Sequence, residues 1–216
     1  MGDNLMSTLL VDGINDAAGG GPKATLPTSG GSAFTLGPNW GAWEFVSTTA
    51  ITAVANISVT SLAAGYDYFF QLEAFCPTTD ANQLAIRVSI NNGSAYLAGA
   101  ADYKWGTGVA QYDIADNEIS VDPGTTGTLG NDSGNANTAG FTLFNPGGTG
   151  EGAYLYGHGV FQSSDATPGM YASSFGGQYI GATTAVNAIQ FGFTTNYGTD
   201  TFKAQGDIAV WRRRRS

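Results

Sequence analysis

The side chains able to do chemistry are few and scattered. The only histidine, His158, stands between two glycines in "LYGHGVF", and the only cysteine, Cys76, ends an apolar run just before Pro77. An imidazole can serve as a general base and a thiolate as a nucleophile. A Cys–His pair, however, needs a third group to orient it and a pocket that excludes water, and the sequence offers neither. His158 reads as a surface or sheet-edge histidine, and Cys76 as a buried, inert thiol with no second cysteine to bridge to. There is no G-x-S-x-G, P-loop, H-E-x-x-H or paired CxxC. Carboxylates abound, but nothing singles out two as a glycosidase pair. The expectation is a protein that is not an enzyme.

Hard cations prefer clustered oxygens, and "DIADNEISVD" supplies Asp113, Asp116, Glu118 and Asp122 in one short stretch. "NDSGNAN" at 131–137 is similarly rich in oxygen. Neither spacing matches an EF-hand or a calcium-binding repeat, so solvated loops are the favoured reading. Calcium stays the one cofactor candidate, and otherwise no cofactor is expected.

Charge is distributed unevenly. Of 8 basic residues, Arg212, Arg213, Arg214 and Arg215 form one run, so residues 1–211 hold 4 basic against 17 acidic side chains, a formal −13. Such a body repels nucleic acid. The run has three readings: a nucleic-acid contact, a solvated tail, or pairing with acidic side chains of a neighbouring subunit. The last is favoured, because arginine suits bidentate interface pairing. Loop aromatics Tyr171, Phe175, Tyr179 and Tyr197 could stack on a sugar, but packing on their own loop or across a trimer is the favoured reading.

The elements that must position these groups are strands. Gly accounts for 32 of 216 residues and charged residues for 12%, which with Thr, Ser and Asn enrichment indicates an all-β chain with many turns. Alternation predicts strands over Ile51–Val59, where Ile51, Ala53, Ala55, Ile57 and Val59 share a parity, and over "YDYFFQLEAF", where Tyr66, Tyr68, Phe70, Leu72 and Ala74 do. Asn92-Gly93 predicts a type I′ hairpin that opposes Val88 to Leu97 and Ile90 to Ala95. Residues 106–140 are expected to hold short strands at most. "FTLFN" (141–145) and "AYLYGHGVF" (153–161) resume the sheet, 162–184 reads as a long surface loop, and two strands close the chain. The fold expected is an antiparallel two-sheet jelly-roll sandwich over residues 40–211. An extended N-terminal arm, 1–39, carries the apolar strand "STLLVDGI" with Leu9, Leu10, Val11 and Ile14. An Arg-rich tail, 212–216, follows the last strand, and the arginines are expected to project beyond it after Trp211. No segment resembles a secretory signal or a membrane span, so cytoplasmic synthesis without membrane insertion is expected.

Several stretches resemble a family of bacteriophage and prophage structural proteins. Its segment of a strand, "P-x-T-D", "L-x-x-R-x-S", a glycine hairpin and "G-A-x-D-Y" is similar to Pro77, Thr79, Asp80, Leu84, Arg87, Ser89, Gly93, Gly99, Ala100, Asp102 and Tyr103. "FTLFNPGG", "AVNAIQFGF…FKAQGDIAVW" and the opening "MSTLLVDGINDAAGGGP" resemble other parts of it. The chain departs from the pattern at Val210-Trp211, where the family has Tyr-Gly, and in the last loop, which lacks Ser-Gly-Asn. Both departures lie at the sheet's end, where partner contacts would differ. The resemblance implies a non-enzymatic, trimeric virion component. It is either a tail fibre or spike-type appendage docked by its arm to other virion proteins, or a capsid decoration or cement protein. The interface would use Leu9, Leu10, Val11 and Ile14 of the arm with Trp211 and Arg212 to Arg215. A lectin-like module that binds host-surface glycan is the alternative.

Overall fold

A computed structural model of the chain describes residues 24–25, 35–36, 43–107, 111–121, 129–132, 136–149, 152–164, 169–193 and 200–215, with the backbone alone for 111–115. Leu9, Leu10, Val11, Ile14, Asp122 and Tyr197 lie outside these residues. The chain divides into two units, Met1–Ala42 with Ser216, and Trp43–Arg215. In the first, β1 (Ala24–Thr25) pairs antiparallel with β2 (Thr35–Leu36).

The second unit holds β3 (Glu44–Ala50), β4 (Ile57–Val59), β5 (Tyr66–Phe75), β6 (Leu84–Ser89), β7 (Tyr103–Thr107) and β8 (Gln111–Asp116), then β9 (Ile119–Ser120), β10 (Asn137–Phe144), β11 (Tyr154–Gln162), β12 (Met170–Tyr179), β13 (Ala188–Phe193) and β14 (Asp207–Arg214). No described residue is helical. One sheet runs β3-β14-β5-β10-β11-β12-β7-β8 and the other β4-β13-β6-β9, every pair antiparallel. Early strands pair with late ones in nested order, β3 with β14 and β4 with β13, while the chain crosses repeatedly between sheets. That nesting makes the sandwich a jelly roll, as the sequence predicts. β11, β12, β7 and β8 widen the larger sheet beyond its four roll strands.

The core lies between the sheets. Phe70 of β5 stacks on Phe141 of β10 at 5.2 Å, and both meet Phe191 of the smaller sheet at 5.9 Å. Alternation in β5 places Tyr68, Phe70 and Leu72 inward because successive side chains leave a strand on opposite faces. It stops there. Ala74 takes φ 54°, β10 advances from Asn137 to Ala139 while β5 advances from Phe75 to Leu72, and the extra residue turns Phe75 inward instead of Ala74. Gly206 (φ +77°) lies against this bulge, where any Cβ would strike the Glu73 carbonyl.

Two other expectations are corrected. Residues 51–56 are not a strand. Here the chain crosses from the larger sheet to the smaller, with Ile51 N–H donating to Gly206 O at 2.9 Å and Val54 O accepting from Phe202 N–H at 2.9 Å. Residues 170–179 are not loop but the ten-residue strand β12, bonded to β11 and β7. Its glycine, serine and alanine positions hide the alternation that places Phe175 and Tyr179 in the core.

The Asn92-Gly93 turn forms as predicted, with φ values of 57° and 84°, and Leu97 N–H donates to Val88 O at 3.0 Å. The returning residues form no strand, because a side chain takes the place of the next ladder bond. Val88 N–H donates to the Tyr103 hydroxyl at 3.0 Å, and that hydroxyl donates to Leu97 O at 2.9 Å.

Candidate functional site

The two groups with catalytic potential sit in unlike surroundings. Cys76 is fully buried, its Sγ donating to Pro77 O at 3.4 Å and Gly130 O at 3.6 Å, and burial pushes its thiol up. His158 stands exposed on the solvent side of β11, opposite Gly140 and Ser174. Among the described residues no three of His, Cys, Asp and Glu gather as a metal site would require.

The calcium candidates do not converge among the described side chains. Asp113 is placed by its backbone in β8, opposite Trp105. Asp116 accepts from Trp105 Nε1 at 2.8 Å and from Asn117 N–H at 2.6 Å. Glu118 is buried and accepts from Arg87 at 2.9 Å. Burial outweighs the attraction of Arg87, and with the nearby Asp116 charge adding to it, the Glu118 carboxyl is pushed up to about 7. The Asp116 and Glu118 oxygens serve as internal acceptors. In the second oxygen-rich stretch, Asn131 N–H donates to Asp80 at 2.6 Å and Asn137 Nδ2 donates to Phe75 O at 3.0 Å.

A buried carboxylate that the sequence reading passed over organises the neighbouring loops. Asp200 accepts from the hydroxyls of Thr78 and Thr79 at 2.7 and 3.0 Å, from Thr201 N–H at 3.0 Å and from Asn82 Nδ2. Its side-chain donors come from "PTTDAN", so the threonine pair was the available signal. The group ties the end of β5 to the segment before β14 and lines no cavity that its contacts reveal.

The arginine run belongs to β14, not to a tail beyond it. Arg212, Arg213 and Arg214 lie opposite Tyr68, Asp67 and Tyr66 of β5, and Arg215 N–H donates to Gly65 O at 2.9 Å. The strand continues because both its faces offer partners. Arg212 pairs bidentately with Glu44 at 2.9 and 3.3 Å and lies over the Tyr66 ring at 4.7 Å. Arg213 pairs with buried Asp67 at 2.9 Å and lies over Trp43 at 5.0 Å, and Arg215 comes within 3.8 Å of the same carboxylate. The Arg212 guanidinium holds the exposed Glu44 carboxyl below its usual range. Three of the four arginines thus form ion pairs within their own chain, and Arg214 is exposed.

The aromatics considered for sugar stacking are mostly core. Phe175 and Tyr179 are buried, and Tyr171 packs on Phe161 at 5.5 Å. The exposed aromatics are elsewhere, on the outer face of the larger sheet. Trp43 meets Phe69 at 5.9 Å, Phe69 meets Trp211 at 5.5 Å, and Trp211 meets Phe45 at 5.9 Å. Tyr154, Tyr156, Val160 and Met170 stand exposed on β11 and β12 of the same face. Two rings lie against bare backbone: Phe69 reaches within 3.3 Å of where a Cβ of Gly140 would be, and Tyr156 within 3.7 Å of that of Gly176. Such a face can bury apolar area against a partner. No protein-family model matches the chain, and no curated protein does.

Proposed function

We propose that this chain is a non-enzymatic structural protein of a bacteriophage particle. It is exposed on the outside of the virion, associates with itself as a homotrimer, and is docked to other virion proteins through its N-terminal arm, residues 1–39. The observation that carries the reading is a jelly-roll domain whose outer sheet face displays aromatics while its described Cys, Asp200 and Glu118 groups are spent on internal bonds. The resemblance of Pro77–Tyr103 and of the opening residues to phage structural proteins supplies the kind of particle. The opening motif favours a tail fibre or spike-type appendage. The compact roll, with no shaft among the described residues, favours a capsid decoration protein nearly as much. No described helix is long and apolar enough to cross a membrane. Synthesis takes place in the host cytoplasm, without cofactor and without nucleic acid as partner.

The exposed Tyr156 ring, beside Gly176, favours a second reading as a host-glycan-binding module; saturable binding on a glycan array would support it. The first reading is tested by immunogold labelling of intact particles. Gold over the head identifies a decoration protein and gold at the tail an appendage. Absence from intact and gently opened particles refutes the virion assignment.

A further inference from the structure

The outer face of the larger sheet carries a continuous row in register. Phe45 lies opposite Trp211, Trp211 opposite Phe69, Phe69 opposite Thr142, Thr142 opposite Tyr156, and Tyr156 opposite Gly176. No member of this row is charged, although the whole chain is at −9. Charges stand beside the row, as the Asp67–Arg213 pair and Lys104 opposite Gln178 on one side and Glu73 opposite Asp207 on the other, and His158 lies between Tyr156 and Val160 on β11. Of nine large apolar side chains exposed among the described residues, six lie on this one face, with Phe45 at 57% and Tyr156 at 61% exposure. Scattered exposure is ordinary, whereas a contiguous apolar patch marks an interface.

We propose that this face is where a second copy of the chain packs. The proposal rests on the self-association in the reading above and names its surface. Two considerations select the occupant. The first is area: eight strands about 4.8 Å apart and about seven residues long present a face on the order of 900 Å², about what each partner contributes to a stable interface. The second is charge. Two copies of an acidic chain repel, and close approach costs least where the surface is uncharged. The aromatic row is such a surface, and the Arg213–Asp67 pair beside it is closed within one chain. Phe45 and Tyr156 are the anchors. Both are large and both are exposed in the single subunit.

Light scattering of the full-length chain at several concentrations tests this. The wild type is expected at a multiple of 22.2 kDa, unchanged or strengthened in molar salt. Phe45→Asp with Tyr156→Asp is expected at the single-chain mass with an unaltered circular dichroism spectrum, since neither side chain is part of the core. Val54→Asp, an exposed apolar position not among the six, is expected to leave the oligomer intact. A single-chain wild type at every concentration overturns the proposal. So does an oligomer that survives the double substitution, one that dissolves in salt, or one that Val54→Asp disrupts equally. If the double variant misfolds, Tyr156→Ser alone must still weaken association at least 10-fold, and failure to do so overturns it. None of these results depends on where gold falls on the particle, so the virion assignment and the interface fail separately.

Discussion

Replacing Tyr103 by Phe removes one oxygen and leaves the ring, packed at 5.7 Å from Tyr179, in place. That oxygen accepts from Val88 N–H at 3.0 Å and donates to Leu97 O at 2.9 Å. Val88 is buried and Leu97 half-buried, so the two backbone groups fare differently. Water can reach the Leu97 carbonyl, while the Val88 amide is left without an acceptor at a cost of about 1–3 kcal/mol, and the lost bond to Leu97 adds about 0.5–1.5 kcal/mol. The expected loss is therefore about 2–4 kcal/mol. In the unit Trp43–Arg215 this is a fall in Tm of roughly 5–12 °C. Urea unfolding should show a lower midpoint at an unchanged slope, and the Val88 amide should exchange its hydrogen faster. The hydroxyl also carries a pH signature. Burial pushes its ionisation above the ordinary tyrosine range, so the folded state keeps the proton after the unfolded state has begun to lose it. Stability is full below about pH 10 and falls as pH rises past it, and Tyr103→Phe should reduce that alkaline loss. A cost below about 0.5 kcal/mol would refute the reasoning. It would mean that Leu97 O moves to meet Val88 N–H directly and that the hairpin never needed the hydroxyl.

Glu118, pushed up to about 7 from 4.5, stays protonated in the fold while the unfolded chain ionises, so its contribution to stability falls as pH rises from about 4.5 to 7. The stability of Glu118→Gln relative to wild type should therefore rise by about 3 kcal/mol across that window, measured by urea unfolding at each pH. A difference independent of pH would show that the carboxyl titrates normally. In the arginine segment, Asp67→Ala removes a buried carboxylate bonded to Arg213 and to the Asn145 amide at 3.1 Å and should cost about 1.5–3 kcal/mol. Glu44→Ala removes only an exposed partner of Arg212 and should cost less than about 1 kcal/mol. Thermal melts of the two variants would rank them in that order if the segment is anchored through Asp67.

Where local chemistry decided conformation, the sequence was a good guide. The inward set Tyr68, Phe70 and Leu72 of β5 follows from its alternation, and the Asn92-Gly93 turn follows from two residues that accept positive φ. What escaped was set by distant partners. β12 reads as loop because Ala172, Ser173, Ser174, Gly176 and Gly177 carry no apolar signal. It is a strand because β11 and β7 lie on either side of it. The bulge at Ala74 depends on Gly206, more than a hundred residues away. Among the candidate sites, the burial of Cys76 was visible in its apolar approach and the proline after it. The arginines read as tail because four like charges rarely sit in a strand, and Asp67, which admits them, looked like any polar residue in a half-buried strand. The aromatic row is invisible to periodicity, since it is assembled from positions on different strands that only the register brings level.

The place of β14 between β3 and β5 has a consequence for how a cell makes this protein. Arg213 and Asp67 are 146 residues apart in the chain, and a ribosome adding about 5–20 residues per second takes roughly 7–30 s to cover that interval. Throughout it, β3 and β5 have emerged with their facing edges unbonded, and neither can close the sheet by pairing with the other in the slot reserved for β14. The nascent chain thus presents two sticky borders at high local concentration on a polysome, where strands from adjacent ribosomes could pair in its place. Slower elongation should lower the soluble yield, and a peptide covering Asp207–Arg215 supplied during synthesis should act as a decoy that jams the roll open.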